Sequence, residues 1–225
     1  MIEILEKEKQ ELAREYAIRV LRHNIINMIL YPGQTLNENE IAEAISVSRT
    51  PVREAIITLA KEGIIEIYPQ KGTCVAPIDL ETINEARFLR ETVELALCEE
   101  VTKYISEEEI LKLEEVIRLQ EFYASKREIV KLLESDNKFH YLLFEISHKL
   151  RTYKALEGLM GHFQRIRMLS LNNINSENII IEHKTIVEAI KTKDPKLAKE
   201  VMHRHLSRVL QDQEVLKEQY SQYFK

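Results

Sequence analysis

The sequence predicts a mainly α-helical fold in two parts: a small helical unit closed by a β-hairpin, then an all-α antiparallel helical bundle. Three observations predict it. Only 5 Gly and 5 Pro punctuate 225 residues, which leaves few turns and favours long helices. Apolar residues recur with helical spacing over most of the chain, and β-rich runs are confined to residues 64–76. Helix-start signals repeat in the second part: Ser106 with Glu109, Ser125 with Glu128, and Asp194 before Pro195.

Residues 9–30 read as the first helix, with Leu12, Tyr16, Val20 and Leu30 near one face and Tyr31-Pro32-Gly33 as its stop. Asn37 caps a short second helix, with Glu40 three residues on and Ile41, Ala42 and Ile45 as the buried face. A turn at Ser46-Val47 leads to a third helix, residues 48 to about 62. Pro51 falls in its first turn, where a missing N–H costs little, and Gly63 ends it. Residues 64–68 and 73–76 form a hairpin through Pro69-Gln70-Lys71-Gly72. Pro77-Ile78-Asp79-Leu80 marks the boundary between domains 1–77 and 78–225. Beyond it, helices are expected over about 80–104, from 106, from 125 to about 148, over 151–172, from Ser176 to near 193, and from 194 onward.

With 44% apolar and 31% charged residues the chain should fold and dissolve. Its net charge of -5 means that any DNA-binding surface must be local. Cys74 and Cys98 lie far apart and read as reduced thiols of a cytoplasmic protein. The acidic, amphipathic N-terminus is unlike a targeting peptide, and no apolar run approaches the ~20 residues that span a bilayer.

Helix, short helix, tight turn, helix, hairpin is the order of a winged helix-turn-helix. The N-terminal residues of the third helix would lie nearest the base edges: Ser48, Arg49, Thr50, Pro51, Val52 and Arg53. Arg49 and Arg53 are four apart and share a face, and arginine forks pair with guanine or clamp phosphates. Lys71 at the hairpin tip, with Gly72 allowing close approach, suits a wing on the DNA backbone or in the minor groove. Residues 12–76 carry 2 Lys and 5 Arg against 7 Glu, so this reading rests on placement; the alternative is that both arginines are solvated helix charges.

The stretch Pro32-Gly33-Gln34-Thr35-Leu36-Asn37-Glu38, then Ile41-Ala42, then Val47-Ser48-Arg49-Thr50-Pro51-Val52-Arg53-Glu54-Ala55, then Leu59, Gly63 and Gly72-Thr73-Cys74-Val75, resembles the DNA-binding domain of GntR-family transcription regulators. The resemblance covers about residues 12–77. It implies that Arg49 and Arg53 contact DNA and that Thr50 and Gly72 approach its backbone. Two positions depart from the family pattern: Asn39 stands where a basic residue is common, and Ser46 where the turn usually has Gly. If that turn needs positive φ, Ser costs about 1 kcal/mol more.

In the second part, polar groups interrupt apolar stripes. Arg90 sits among Ile83, Ala86, Val93 and Leu97, where it must meet a carboxylate such as Glu94 or clamp an acidic effector. Asp136 and His140, one turn apart, are framed by Ile129, Leu133, Leu143 and Ser147. His183 is framed by Ile179, Ile186 and Ile190, and His205 by Val201 and Val209. His203 falls among polar neighbours and reads as solvated, while His23, His148 and His162 read as surface or packing residues. One buried histidine is usually a satisfied core residue. Three, with an aspartate at i,i+4 spacing, also suit zinc, nickel, cobalt, iron or manganese.

Asp136-x-x-x-His140, His183, and His205 in Met202-His203-Arg204-His205-Leu206 resemble the metal-binding subset of FCD effector domains, the all-helical half of the FadR-like GntR branch. Arg90 matches the arginine that often faces the ligand there. Lys149 stands where many members carry Asn, which bears on the local loop. The resemblance, over about residues 80–215, implies a divalent metal on Asp136, His140, His183 and His205, with zinc or nickel foremost. The expected protein is a ligand-responsive transcription regulator and not an enzyme. By default it is a repressor that grips a roughly palindromic double-stranded operator as a homodimer and responds to a small carboxylate on the metal and Arg90. A sensor of the ion itself is the alternative. A metal-dependent hydrolase is remote, because Glu145 and Glu182 sit at no diagnostic general-base offset.

Overall fold

The computed structural model describes residues 2–173 and 177–225. The elements run α1 (Ala13–Ile26), β1 (Thr35–Leu36), α2 (Glu38–Ala44), α3 (Arg49–Lys61), β2 (Ile65–Tyr68) and β3 (Gly72–Val75). Then come α4 (Leu80–Tyr104), α5 (Glu107–Lys126), α6 (Ile129–Ile146), α7 (Leu150–Glu157), α8 (Gly161–Asn173), α9 (Glu177–Lys191) and α10 (Pro195–Gln219), with a 3₁₀ turn at Ser221–Tyr223. The strands form an antiparallel sheet in the order β1-β3-β2. No helix among the described residues is long and apolar enough to cross a membrane.

In the N-terminal part, α1, α3 and the sheet enclose a core that includes Tyr16, Val20, Ile25, Val52, Ile56, Leu59 and Val75. Asn37 caps α2 as its position implies: its side chain accepts from the backbone N–H of Asn39 and Glu40. Ser46 does adopt positive φ, at 55°, so the strain that Gly would relieve is present. The first helix is shorter than its pattern suggests. Residues before 13 instead run back along α1, where buried Asn24 accepts from Glu3 N–H at 2.7 Å and donates to Glu3 C=O at 2.8 Å. At the other end, Met28 turns left-handed, and Ile29 and Leu30 both donate to the Asn24 carbonyl. The pairing of β1 with β3 was not expected; two residues carry too little pattern to be seen.

In the C-terminal part the Ser106–Glu109 capping box and the Asp194–Pro195 start are both present. The Ser125–Glu128 cap is not. Ser125 lies inside α5 and its hydroxyl donates back to the Phe122 carbonyl, while Arg127 ends the helix in the left-handed region. The helix expected over 151–172 is broken into α7 and α8. A Cβ at Gly161 would lie 2.3 Å from Ile64 Cγ2, so the start of α8 can sit this close to the N-terminal part only with glycine there. The Ser176 start lies outside the described residues. Lys149 caps α7 without a side-chain bond, and its ammonium donates to Glu100 at 2.5 Å.

The two parts meet along α8. Arg165, fully buried, donates to the Ala76 carbonyl at 2.6 Å and to His162 Nδ1 at 2.7 Å. His162 Nδ1 also accepts from Asp79 N–H at 3.1 Å, and its Nε2–H donates to the Gly63 carbonyl at 2.9 Å. The C-terminal turn closes over the linker: Ile78 N–H donates to the Tyr223 carbonyl at 2.7 Å, and Lys225 pairs with Asp79 at 2.9 Å.

This network requires a neutral His162, because a second ring proton would face two donors. Burial and the Arg165 charge push its pKa down to about 4; Asp79 opposes the shift and Lys225 adds to it. The folded chain therefore binds fewer protons than the unfolded one between about pH 4 and 6.5. The His162 contribution is complete above pH 6.5 and is lost as pH falls toward 4, by up to about 3 kcal/mol. Thermal melts from pH 7 to 4.5 should show a shallower acid loss in His162→Gln than in wild type. Parallel curves would contradict this.

Candidate metal centre and DNA-reading face

Asp136 and His140 come from α6, His183 from α9 and His205 from α10, and all four are buried. The apolar stripes that frame them pack these helices together, with Phe139, Leu143, Ile186, Ile190 and Val201 in one core. The same packing turns the polar interruptions toward each other. One ligand atom from each of the four lies within 4.8 Å of every other. His140 Nε2 and His183 Nε2 approach His205 Nε2 to 3.1 and 3.3 Å.

The outer sides of the rings settle their tautomers. His140 Nδ1–H donates to Glu94 Oε2, and His205 Nδ1–H donates to Glu182 Oε2 at 3.2 Å. His183 Nδ1–H donates to Gln120 Oε1 at 2.9 Å; that amide is oriented because its Nε2 donates to the Ser135 carbonyl at 3.2 Å. Phe139 stacks on His183 at 3.9 Å and fixes the ring plane. A neutral imidazole that donates from Nδ1 presents a bare lone pair at Nε2. Three such lone pairs converge here, and Asp136 Oδ1, also buried, has no hydrogen-bond partner.

Burial keeps His140 and His183 neutral, while nearby cations keep Glu94 and Asp136 ionised. Burial pushes His140 down to about 4, helped by Arg90 and opposed by Glu94. Burial and His205 hold His183 well below the usual histidine range. Burial would raise Glu94, but the hydrogen bond from His140 and the Arg90 charge outweigh it and hold the carboxyl at about 2. Asp136 is likewise lowered against burial, by the Arg167 charge. Neutral imidazoles with an ionised carboxylate are the donor set that zinc, nickel and similar ions take. Nitrogens about 2.1 Å from one ion stand roughly 3.0–3.4 Å apart at octahedral to tetrahedral angles, the spacing seen here.

Two clefts flank the cluster. One is bounded by Arg90, Glu94, Asn137, His140, Tyr153 and Gln164. The other is bounded by Asp136, Arg167, Ser170, His205, Arg208 and Asp212. Arg90 is buried and its Nε donates to Glu94 Oε1 at 2.7 Å, the internal pair anticipated as one of its two readings. Arg167 grips Asp136 Oδ2 and donates to Asn137 Oδ1 at 2.9 Å. Sequence reasoning missed Arg167 and Gln120. Gln120 interrupts the stripe Leu113-Val116-Ile117, so the same test would have found it. Neighbouring buried Arg165 blurs the pattern around Arg167.

On the N-terminal part Arg49, Thr50 and Arg53 are exposed at the start of α3, with Pro51 half-buried beside them. Arg49 donates to Glu38 Oε2 at 2.7 Å while its side chain stays 62% exposed. Lys71 and Gly72 are exposed at the tip between β2 and β3, where Gly72 has φ 105°. His203 is exposed and pairs with Glu91; His162 is a packing residue. Cys74 and Cys98 are free thiols, and burial pushes Cys98 up.

Comparison with known proteins agrees with this organisation. The family model for bacterial regulatory proteins of the gntR family matches residues 13–75, and the FCD domain model matches residues 85–208. The chain is 28% identical over 207 residues to the HTH-type transcriptional repressor RspR of Escherichia coli, covering 92% of this chain and 91% of that protein. It is 31% identical over 193 residues to an HTH-type transcriptional regulator in an unstable DNA locus of Streptomyces ambofaciens, covering 85% and 81%. It is 28% identical over 195 residues to the gluconate operon transcriptional repressor of Bacillus subtilis, covering 84% and 80%. The fold is shared with E. coli McbR/YncC at a TM-score of 0.79 and 19% identity, covering 94% of this chain and all of that one. The chain belongs to the GntR family and is a transcription regulator of its FCD-containing type.

Proposed function

We propose that the chain is a metal-dependent, carboxylate-responsive repressor. Residues 1–77 read a roughly palindromic double-stranded operator through Arg49, Thr50, Pro51, Arg53, Lys71 and Gly72. Residues 78–225 hold a divalent transition ion on Asp136, His140, His183 and His205 and join two copies into a homodimer that works in the cytoplasm. The observation that carries the reading is the convergence of three tautomer-locked Nε2 lone pairs on a carboxylate with an unpartnered oxygen. Burying such a set without a cation costs several kcal/mol, and a cation removes that cost.

The ion would act as a Lewis acid that fixes a small carboxylate in an open coordination position, with Arg90 as a second contact from the adjoining cleft. Clefts on both sides of the cluster favour an organic effector over a sensor of the ion alone. Two of the relatives above are named repressors, which supports the sign of control. The test uses chelator-stripped and zinc-reconstituted protein on a duplex selected from random sequence. Small carboxylates should weaken operator binding about 5–150-fold, a coupling of 1–3 kcal/mol, in the zinc form and not in the stripped form. Equal responses of the two forms would contradict the reading. A response to zinc with no carboxylate would favour the ion sensor.

A further inference from the structure

The starts of α2 and α3 face each other across the turn at Ser46-Val47, and one charge pair bridges them. Glu38 opens α2. Its backbone is fixed, because the Asn37 side chain accepts from the N–H of Asn39 at 3.0 Å and of Glu40 at 3.4 Å. Ile41 and Ala42 of α2 share a core with Val52, Ala55 and Ile56 of α3, so the two helix starts keep one spacing. Across it, Arg49 Nε donates to Glu38 Oε2 at 2.7 Å. The Glu38 side chain is 20% exposed and that of Arg49 62%, so the anchor is covered while the guanidinium reaches outward. Asn37, Asn39 and Glu40 bring no cation to compete for the carboxylate. Arg53, one turn further along α3, is exposed and makes no hydrogen bond or ion pair among the described residues.

The atom that carries this contact decides what the guanidinium can still do. A guanidinium offers two forked edges, Nε with one Nη, and Nη1 with Nη2. With Nε on Glu38, the Nη1–Nη2 edge is left, and a bidentate contact to guanine O6 and N7 fits that edge. The carboxylate also cancels the arginine charge toward DNA phosphates, whereas Arg53 keeps its own. Resting on the reading that Arg49 contacts the operator, we infer that Glu38 is a positioning residue that sets operator specificity: it turns the Arg49 fork to a base edge and withholds it from the DNA backbone. Arg49 then reads sequence and Arg53 clamps phosphate. The Glu38 charge repels every duplex, while the oriented fork rewards only the right one, so the pair trades affinity for discrimination.

The test is Glu38→Gln in the intact chain, which keeps the size of the side chain and removes its charge. Fluorescence anisotropy would follow binding to a duplex selected from random sequence, to that duplex altered at single base pairs, and to a scrambled one, over a range of salt. Binding to the scrambled duplex should tighten, with the salt slope steeper by about 0.9 per DNA-reading unit as Arg49 takes up a phosphate. The ratio of selected to scrambled affinity should fall about three- to fivefold per unit, the upper range of what an exposed pair can bias its arginine. The loss should fall on the base pair that Arg49→Ala also relaxes, and adding Glu38→Gln to Arg49→Ala should relax it no further. Arg53→Ala should weaken all sequences alike and make the slope shallower.

A gain shared by all duplexes, with the ratio unchanged, makes Glu38 a source of general repulsion and overturns the inference. A loss shared by all duplexes makes it a merely structural residue and overturns it as well. Further relaxation of that base pair in the double variant shows that Glu38 does not act through Arg49. A loss of preference at one base pair in Arg53→Ala overturns the division between the two arginines. Arg49→Ala with full wild-type preference overturns the reading of Arg49 and this inference with it. A loss of preference in Arg49→Ala, beside an unchanged ratio in Glu38→Gln, overturns this inference alone.

Discussion

Replacing His183 by alanine should leave a folded chain that no longer retains an ion. His183 is fully buried between Phe139 and Gln120, and its Nε2 completes the convergent set. Loss of a partner that merely orients a ligand costs roughly 10–100-fold in metal affinity, and loss of the ligand itself should cost more. Metal content should drop from one ion per chain to under a tenth. In wild type, zinc at about a thousandfold excess over its Kd adds about 4 kcal/mol, roughly 10 °C in Tm for a chain of this size. In His183→Ala that rise should vanish. Unchanged stoichiometry would remove His183 from the site.

Arg49→Ala should lose operator binding while leaving the bundle untouched. A bidentate arginine–guanine contact discriminates by about 1–3 kcal/mol, so affinity for the selected operator should fall about 5–150-fold and preference at one base pair should relax. The folding cost should be small, because the exposed pair with Glu38 is worth less than about 1 kcal/mol. Lys71→Ala should behave differently, weakening binding to all sequences and reducing the salt slope by about one. Retained specific binding by Arg49→Ala would refute its assigned role.

Much of this was legible in the sequence where a local rule and the packing agree. Asn37, Asp194 and the Ser106–Glu109 pair cap helices because a short oxygen-bearing side chain meets orphan N–H groups in any context. Asp136, His140, His183 and His205 stood out because each breaks an apolar stripe, and a stripe names the buried face. What failed depended on distant residues. Ser125 looked like a cap, yet α5 continues through it on core contacts. The start of α8 at Gly161 packs on Ile64, nearly a hundred residues earlier, a contact that no local pattern encodes. Residues 9–12 stay outside the helix, with Gln10 in the left-handed region, and further back Glu3 pairs with buried Asn24. Arg167 and Arg165 escaped notice because two inward arginines on one short helix leave no clean stripe to interrupt.

The joint along α8 shows how the effector half can reach the DNA-reading half. α8 carries Arg167 against Asp136, and on the same helix His162 and Arg165 hold the Gly63 and Ala76 carbonyls. α10 carries His205, and the turn that follows it clasps the linker at Ile78. A shift of either helix at the cluster would therefore move contacts at the base of the winged unit, the route by which the proposed effector would bias DNA binding.

X-ray absorption at the zinc edge, on protein reconstituted with one equivalent of zinc, tests the central claim most directly. The account predicts a first shell of three imidazole nitrogens and at least one carboxylate oxygen at about 2.0–2.2 Å, with no sulfur. A shell of oxygens alone, or one with a single imidazole, would show that the three converging rings do not bind the ion.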